Sequence, residues 1–257
     1  MNDKGNKGFF ADIVANPGYA MAAAILFIPI VAIFLSLFRS ISLQTIYAKQ
    51  PETILVTGFE SFNNIETNGS WEAVRDLDGK YFGTAVVVAA KLPVVWDEAD
   101  KKLHELIRAN NPVAIISFGQ TAEKRVMLEE IAHNVRENIY DNSNKLPNTL
   151  QVYEHGAFEL ETGLPLSEIK SRLQAASIPV QKSKNAGTYL CNDIFYTLMY
   201  DPGTANAKDI PRGFVHVPPL DESIPTRNGN TVTFDKDTLQ KSAAIIIQAV
   251  IDASQIK

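Results

Sequence analysis

One cysteine and one histidine are the residues of this chain whose types and order could support nucleophilic catalysis. Cys191, the only cysteine among 257 residues, ends the stretch Gly-Thr-Tyr-Leu-Cys, which is typical of a loop that runs into a helix. The N–H groups at the start of a helix favour the thiolate, which is the nucleophilic form of cysteine. On its position alone, however, Cys191 would be interpreted as a small, buried apolar residue.

His216 lies further along, in the short apolar run Gly-Phe-Val-His-Val, which two prolines close. This pattern predicts a strand with Phe214 and His216 on one face and Val215 and Val217 on the other. A histidine near the end of a strand can act as the general base for a cysteine on a neighbouring loop. Alone, His216 would be interpreted as a hydrogen-bonded structural histidine, but together with Cys191 it indicates a thiol hydrolase.

Two earlier blocks of sequence accompany this pair. Residues 113–120 form a strand-like run that ends in Gly-Gln, and residues 128–134, Leu-Glu-Glu-Ile-Ala-His-Asn, follow it. Residues 54–62 read Ile-Leu-Val-Thr-Gly-Phe-Glu-Ser-Phe and continue to the Asn-Gly-Ser of residues 68–70. In this order, the four blocks resemble the pyroglutamyl peptidase I family, also called pyrrolidone-carboxylate peptidases. The resemblance covers Thr53 to the C-terminus and implies a cysteine peptidase that acts on N-terminally pyroglutamylated peptides.

The resemblance implies a catalytic triad of Cys191, His216 and Glu129. Cys191 would attack the carbonyl that follows the lactam, His216 would carry the proton, and Glu129 would orient and stabilise the imidazole. Counting back from Ile-Ala-x-Asn favours Glu129, whereas counting forward from Gly-Gln favours Glu130. We take Glu129, because its reference block is the nearer one. Without the resemblance, either glutamate would be interpreted as a solvated charge on a helix.

The resemblance also implies which residues bind the substrate. Pyroglutamate is a small, flat, uncharged lactam, so its pocket should be apolar with a few polar groups directed at the amide. Phe59 and Phe62 would enclose the ring, although ordinary core packing would explain both phenylalanines without it. Backbone N–H groups around Leu190 and Cys191 would form the oxyanion hole. The other residues implied at the pocket are Asn68, Gln120 through its backbone, and Tyr189.

Three loops depart from the pattern of that family. Residues 61–64 read Ser-Phe-Asn-Asn in place of Pro-Phe-Gly-Gly, and residues 121–125 replace a glycine-rich loop. Residues 138–142 read Asn-Ile-Tyr-Asp-Asn in place of Arg-Ile-Pro-Asp-Asn. Loss of glycine limits the backbone where a positive φ or a close approach is needed. Two alternatives therefore stay open: an amidase of the same fold that acts on another small lactam or amide, and a non-catalytic peptide-binding module.

The N-terminal part of the chain has a different character. Residues 19–38 are an uncharged run of 20 residues, long enough to cross a bilayer as a helix. They predict a single-pass, membrane-anchored protein, with residues 1–18 as a flank, 39–52 as a tether and 53–257 as the catalytic domain. A cleaved signal peptide is the alternative, but no clear Ala-x-Ala site follows. The flanking charges leave the side of the catalytic domain open, and the family is typically cytosolic.

Beyond this segment, strand-like runs alternate with amphipathic helices. The alternation predicts an α/β fold with a largely parallel sheet, and the resemblance implies a three-layer α/β/α sandwich whose sheet is mixed. Sites in such folds gather at the carboxyl edge of the sheet. A net charge of −5 gives no reason to expect a nucleic-acid partner, and we find no metal or cofactor motif. The family often forms dimers or tetramers, so a homo-oligomer stays open.

Overall fold

The structure is a computed structural model that describes residues 32–36, 51–62, 65–203, 209–225 and 231–254. The chain separates into two compact units, Met1–Gln50 and Pro51–Lys257. The described part of the first unit is one helical stretch, residues 32–36. All the strands and helices named below belong to the second unit.

The second unit is built around a seven-stranded sheet. The strands of the unit are β1 (Thr53–Phe59), β2 (Tyr81–Phe82), β3 (Ala85–Leu92), β4 (Ala114–Gln120), β5 (Val126–Glu129), β6 (Ile131–His133), β7 (Glu159–Glu161), β8 (Val180–Ser183), β9 (Arg212–Val217), β10 (Glu222–Pro225) and β11 (Thr231–Phe234). The sheet has the strand order β2-β3-β1-β4-β9-β5-β8. The pairs β6–β7 and β10–β11 form two small antiparallel sheets.

The sheet is mixed and mostly parallel. Strands β3, β1, β4 and β9 run in the same direction. Strand β5 runs antiparallel to β9 and parallel to β8, while β2 is antiparallel to β3 at the edge. The carboxyl ends of β1, β4 and β9 therefore share one edge of the sheet. Strand β5 begins at that edge and runs away from it, because it is antiparallel to β9.

Helices cover both faces of this sheet. They are α1 (Gly69–Val74), α2 (Glu98–Asn110), α3 (Leu166–Ala175), α4 (Leu190–Tyr200) and α5 (Lys236–Ser254), with a 3-10 turn at Arg75–Leu77. Ile54 and Val56 of β1 belong to an apolar cluster that includes α1, α3 and α5, whereas Leu55 belongs to a second cluster with α2 and α4. Alternate residues of a strand face opposite sides, so burial on both faces explains the continuous apolar runs of the sequence.

The prediction of an α/β fold with a mostly parallel mixed sheet is confirmed. The predicted strand around His216 is β9, and Phe214 packs on the α4 side of the sheet. Val215 and Val217 pack in the opposite cluster, as the alternation of residues predicts.

The prediction of a membrane-anchored, single-pass protein is wrong. Among the described residues, no helix has both the length and the apolar character that crossing a bilayer requires. Residues 32–36 form one short helical stretch, and the rest of 19–38 lies outside the described residues. The flank 1–18 and all but the last two residues of the tether 39–52 also lie outside them.

Candidate active site

Cys191 lies in the first turn of α4, at the junction between loop and helix that its sequence context predicts. Tyr189 is the N-cap residue of this helix and makes no capping hydrogen bond through its side chain. The first backbone N–H groups of a helix have no acceptor within the helix. Those of Leu190 and Cys191 can therefore donate to an oxyanion beside the thiol.

The thiol of Cys191 packs directly against strand β4 at Gly119. A methyl group on Gly119 would lie 2.8 Å from Sγ of Cys191 and 2.7 Å from Cζ of Phe214. Only glycine leaves room for this approach. Gly119 is also the β4 residue that pairs with His216 of β9, so the thiol and the imidazole lie above adjacent strands.

His216 and Glu129 form a buried hydrogen-bonded pair. Nδ1 of His216 lies 2.8 Å from Oε1 of Glu129, and the two residues are only 6% and 1% exposed. Met127 of β5 pairs with His216, and Glu129 is two residues further along the same face of the strand. Because Nδ1 bonds to the carboxylate, Nε2 is the ring nitrogen left for the hydrogen bond to Cys191.

The surroundings of His216 favour its protonated form. Burial alone would lower the pKa of the imidazole, but the charges and hydrogen bonds of Cys191 and Glu129 outweigh burial and raise that pKa from 6.5 to about 9. His216 is therefore an imidazolium at neutral pH, hydrogen-bonded on one side to the carboxylate of Glu129 and on the other to Cys191.

Glu130, the competing candidate, has different surroundings. Its carboxylate lies 3.4 Å from Nζ of Lys182, and its carbonyl oxygen accepts a hydrogen bond from the backbone N–H of Thr162. The structure brings Glu129, and not Glu130, together with His216. The interpretation of either glutamate as a helical charge is wrong, because Glu129 ends strand β5.

A cavity of about 560 Å³ opens beside Cys191. Glu129, His216 and Leu190 form its buried floor, and Gly187 is among the exposed residues of its rim. This volume is in the range of small-molecule sites and is larger than a single lactam ring needs. All nine site residues predicted from the sequence line the cavity: Cys191, His216, Glu129, Phe59, Phe62, Asn68, Gln120, Tyr189 and Leu190.

The side chains of Asn68 and Gln120 shape the wall of the cavity. Nδ2 of Asn68 donates to the carbonyl of Glu60 at 2.9 Å, and its Oδ1 accepts from the N–H of Ser70 at 3.0 Å, which caps α1. Oε1 of Gln120 accepts from the N–H of Gly69 at 2.6 Å. The bond from Gly69 to Gln120 attaches the loop between β1 and α1, which carries Phe62, to the end of β4.

Aromatic rings supply much of the apolar wall. Phe59 is buried, and Phe62 is half-buried against the same apolar cluster. The ring of Tyr189 meets that of Trp96 edge-on, with 5.1 Å between the centroids. The hydroxyl of Tyr189 donates to the carbonyl of Tyr140 at 3.1 Å, which turns the polar end of this ring to the loop. The wall therefore suits a flat, uncharged group.

A buried charged cluster behind α4 escaped the sequence analysis. Nε of Arg136 lies 2.6 Å from Oδ1 of Asp193, and both residues are buried. The other guanidinium nitrogens lie 3.2 Å from the carboxylates of Asp97 and Asp100. Asp193 follows two positions after Cys191 and is the one charged residue among the buried residues of α4. The charge of Asp193 is the one sign of this cluster in the sequence, and no residue near it in the chain indicates that Arg136 is its partner.

Some other residues that line the cavity could not be identified from the sequence. Val94 and Met127 carry no chemical signal in the sequence, and their place in the wall follows only from the fold. Glu123 belongs to the loop 121–125, which differs from the family pattern. Across the described part of the chain, no group of histidine, cysteine or acidic side chains is arranged to hold a metal ion.

Comparison with known proteins identifies relatives along most of the chain. The sequence model of the pyroglutamyl peptidase family matches residues 52–253. The chain belongs to the pyroglutamyl peptidase family. A pyrrolidone-carboxylate peptidase of Cupriavidus necator is 36% identical over 191 residues, which are 74% of this chain and 88% of that protein. Another, of Escherichia fergusonii, is 32% identical over 209 residues, covering 80% of this chain and 96% of the relative.

Solved structures of the family have the same fold. The pyroglutamyl peptidase I of Bacillus amyloliquefaciens gives a TM-score of 0.70 at 30% identity, covering 78% of this chain and 95% of that one. A mutant pyrrolidone carboxyl peptidase of Pyrococcus furiosus gives a TM-score of 0.70 at 26% identity and covers 78% and 99% of the two chains. The resemblance inferred from four sequence blocks is confirmed, and the cavity lies wholly within the matched residues.

Proposed function

We propose that this protein is a cysteine exopeptidase that hydrolyses the amide bond after an N-terminal pyroglutamyl residue. The observation that carries the proposal is the cavity in which Cys191 lies beside the buried pair of His216 and Glu129. Relatives named pyrrolidone-carboxylate peptidase support the substrate class. The aromatic wall around Phe59 and Tyr189 suits an uncharged lactam ring.

In the acylation step, Sγ of Cys191, whose proton has passed to His216, attacks the carbonyl carbon of the pyroglutamyl residue. The imidazolium of His216 then donates its proton to the leaving nitrogen, so the C–N bond breaks and the shortened peptide departs as an amine. The thioester and a neutral imidazole remain. Glu129 keeps Nδ1 of the ring engaged, which directs Nε2 at the reacting atoms.

The negative charge of the tetrahedral intermediate develops on the former carbonyl oxygen. Cys191 lies in the first turn of α4, where backbone N–H groups point out of the helix end. We assign the N–H groups of Leu190 and Cys191 to this oxyanion. Donors fixed in this way lower the barrier because they need no reorganisation when the charge forms.

In the deacylation step, water attacks the thioester and His216 takes its proton. Collapse of the second tetrahedral intermediate expels the thiolate of Cys191 and releases free pyroglutamate. The imidazolium and the thiolate are thereby restored, so one water molecule is consumed for each amide bond that is broken. The exposed rim of the cavity at Gly187 gives water a route to the thioester.

The proposal is tested by cleavage of a fluorogenic pyroglutamyl amide by the full-length chain under reducing conditions. A matched prolyl amide, which lacks the ring carbonyl, controls for specificity. We expect cleavage of the pyroglutamyl compound alone, and a loss of turnover on the order of 10⁴-fold or more in Cys191→Ser. Glu129→Gln should lower kcat by roughly 10²–10⁴-fold, whereas the adjacent Glu130→Gln should retain wild-type kcat.

Each alternative has its own outcome in this assay. Cleavage of both amides would favour a broader amidase. A folded protein that cleaves neither amide, and whose Cys191 resists thiol reagents until it unfolds, would favour a binding module and sink the proposal.

A further inference from the structure

The loop that joins β4 to β5 brings a carboxylate to the rim of the cavity. Residues 121–125, Thr-Ala-Glu-Lys-Arg, cross the carboxyl edge of the sheet from the end of one strand to the start of the other. Thr121, Ala122 and Glu123 line the cavity, and Glu123 is exposed. Glu123 is exposed at the rim, whereas Glu129, His216 and Leu190 on the floor are buried.

The charge of Glu123 is not neutralised within the described residues. Its side chain forms no hydrogen bond or ion pair with any of them. The next residue, Lys124, pairs with Glu222 at 2.7 Å, and Arg125 directs its guanidinium to Gln181 at 3.4 Å. No lysine or arginine of the described chain is among the residues that line the cavity.

The floor of the cavity carries a carboxylate too, but that one has a cationic partner. Oε1 of Glu129 lies 2.8 Å from Nδ1 of His216, so the charges of these two groups offset each other. Glu123 at the rim has no such partner among the described residues, so its charge is not offset. Fixed charges of one sign in a cleft raise the local concentration of oppositely charged ligands.

The chemistry of the substrate determines what can respond to this charge. In a pyroglutamyl peptide, the N-terminal amine is part of the lactam and carries no charge. The first charge that the substrate can offer is therefore on the side chain that follows the scissile bond. A cavity of about 560 Å³ has room for that side chain beyond the ring.

We infer that Glu123 makes the enzyme prefer substrates in which lysine or arginine directly follows the pyroglutamyl residue. The inference rests on the proposed function, and it adds a cationic second residue to the substrate class. Because Glu123 is exposed, its attraction to a cation is screened by water and by salt. A preference of about two- to fivefold in kcat/KM is the size that such a pair supports.

The test compares kcat/KM of the full-length chain for three peptides, pyroglutamyl-lysyl, pyroglutamyl-norleucyl and pyroglutamyl-glutamyl amides, at low and high salt. Norleucine matches the aliphatic length of lysine without its charge. We expect the order lysyl, norleucyl, glutamyl, with the ratios shrinking towards one in 1 M salt. In Glu123→Gln the lysyl-to-norleucyl ratio should fall by about two- to fivefold, and in Glu123→Lys the order should reverse.

Glu105→Gln is the matched control, because it removes one exposed carboxylate of α2 that does not line the cavity. This variant should keep the wild-type ratios. Equal cleavage of the three peptides by wild type, or ratios unchanged in Glu123→Gln, would overturn the inference while leaving the proposed function intact. Cleavage of none of the three would contradict the proposed function itself, and the inference would fall with it.

Discussion

At the scale of single residues, the candidate site depends on the absence of a side chain at Gly119 as much as on the side chains of Cys191, His216 and Glu129. Gly119 permits Sγ of Cys191 to lie over β4, because a methyl group there would be only 2.8 Å from the sulfur. The requirement is for space, since Gly119 is not among the glycines with a positive φ. On the same side of the sheet, Phe214 packs edge-on to His216 with 5.0 Å between the ring centroids, which limits rotation of the imidazole.

The proton affinity of His216 gives a prediction at this scale. Its pKa is raised from 6.5 to about 9, so the folded state holds this proton more tightly than the unfolded chain does. The resulting stabilisation is complete below pH 6.5 and is lost as the pH rises to about 9. An NMR titration of the imidazole should give a lower pKa in Glu129→Gln than in wild type, because the carboxylate that stabilises the cation is gone.

Glu130→Gln controls this titration, since the carboxylate of Glu130 pairs with Lys182 and not with the ring. Its His216 should titrate as in wild type. Identical pKa values of His216 in wild type and Glu129→Gln would show that Glu129 does not charge-stabilise the imidazolium. Such a result would remove Glu129 from the proposed triad.

At the scale of elements, the two residues after Cys191 attach α4 to the segment that follows Glu129. Oδ1 of Asn192 accepts from the N–H of His133 at 2.9 Å. Nδ2 of Asn192 donates to the carbonyls of His133 and Val135 at 2.8 and 3.0 Å. Partly buried hydrogen bonds thus join α4, which carries Cys191, to β6 and Val135, a few positions after Glu129.

The ion cluster around Arg136 adds to this attachment. Burial, reinforced by the charge of Asp100, raises the pKa of Asp193 well above its usual range, and the attraction of Arg136 offsets this only in part. Three carboxyl groups thus face one guanidinium, and burial raises the pKa of Asp100 as well as that of Asp193. The cluster is sensitive to the loss of its single cation, because buried carboxylates without a partner are strongly unfavourable.

The variant Arg136→Met should therefore lower the free energy of unfolding by about 3–5 kcal/mol at neutral pH, as measured by urea denaturation. Arg172→Met is the matched control: Arg172 pairs with Glu168 and Asp252 in a more exposed position. Its loss should cost less than about 1 kcal/mol. Equal effects of the two variants would mean that the buried cluster contributes no more than a surface ion pair.

The sequence was informative where chemistry or periodicity is local. The alternation around His216 predicted the faces of β9, and the spacing after Gly187 predicted the start of α4. The reversal of β5 could not be predicted, because pairing between β5 and β9 depends on chain segments far apart. For the same reason, spacing alone left Glu129 and Glu130 in competition, and the partner of Asp193 stayed hidden.

At the scale of the whole molecule, the residues that match the family include all those that form the candidate site. The family match covers residues 52–253, and the cavity, the sheet and both apolar clusters lie inside it. The run of 20 uncharged residues meets only the length requirement for a membrane-spanning helix. It led to a membrane prediction that the described helices do not support. The outline of the site could be predicted because the distant blocks of sequence converge on one edge of the sheet.

Direct detection of an acyl-enzyme tests the central claim, that Cys191 is the nucleophile. The full-length chain would be mixed with an activated pyroglutamyl ester, quenched in acid within the first turnovers and analysed by intact mass and peptide mapping. We predict the addition of one pyroglutamyl group as a thioester on Cys191, the single cysteine of the chain, and none on Cys191→Ala. An adduct on another residue, or wild-type turnover by Cys191→Ala, would contradict the account.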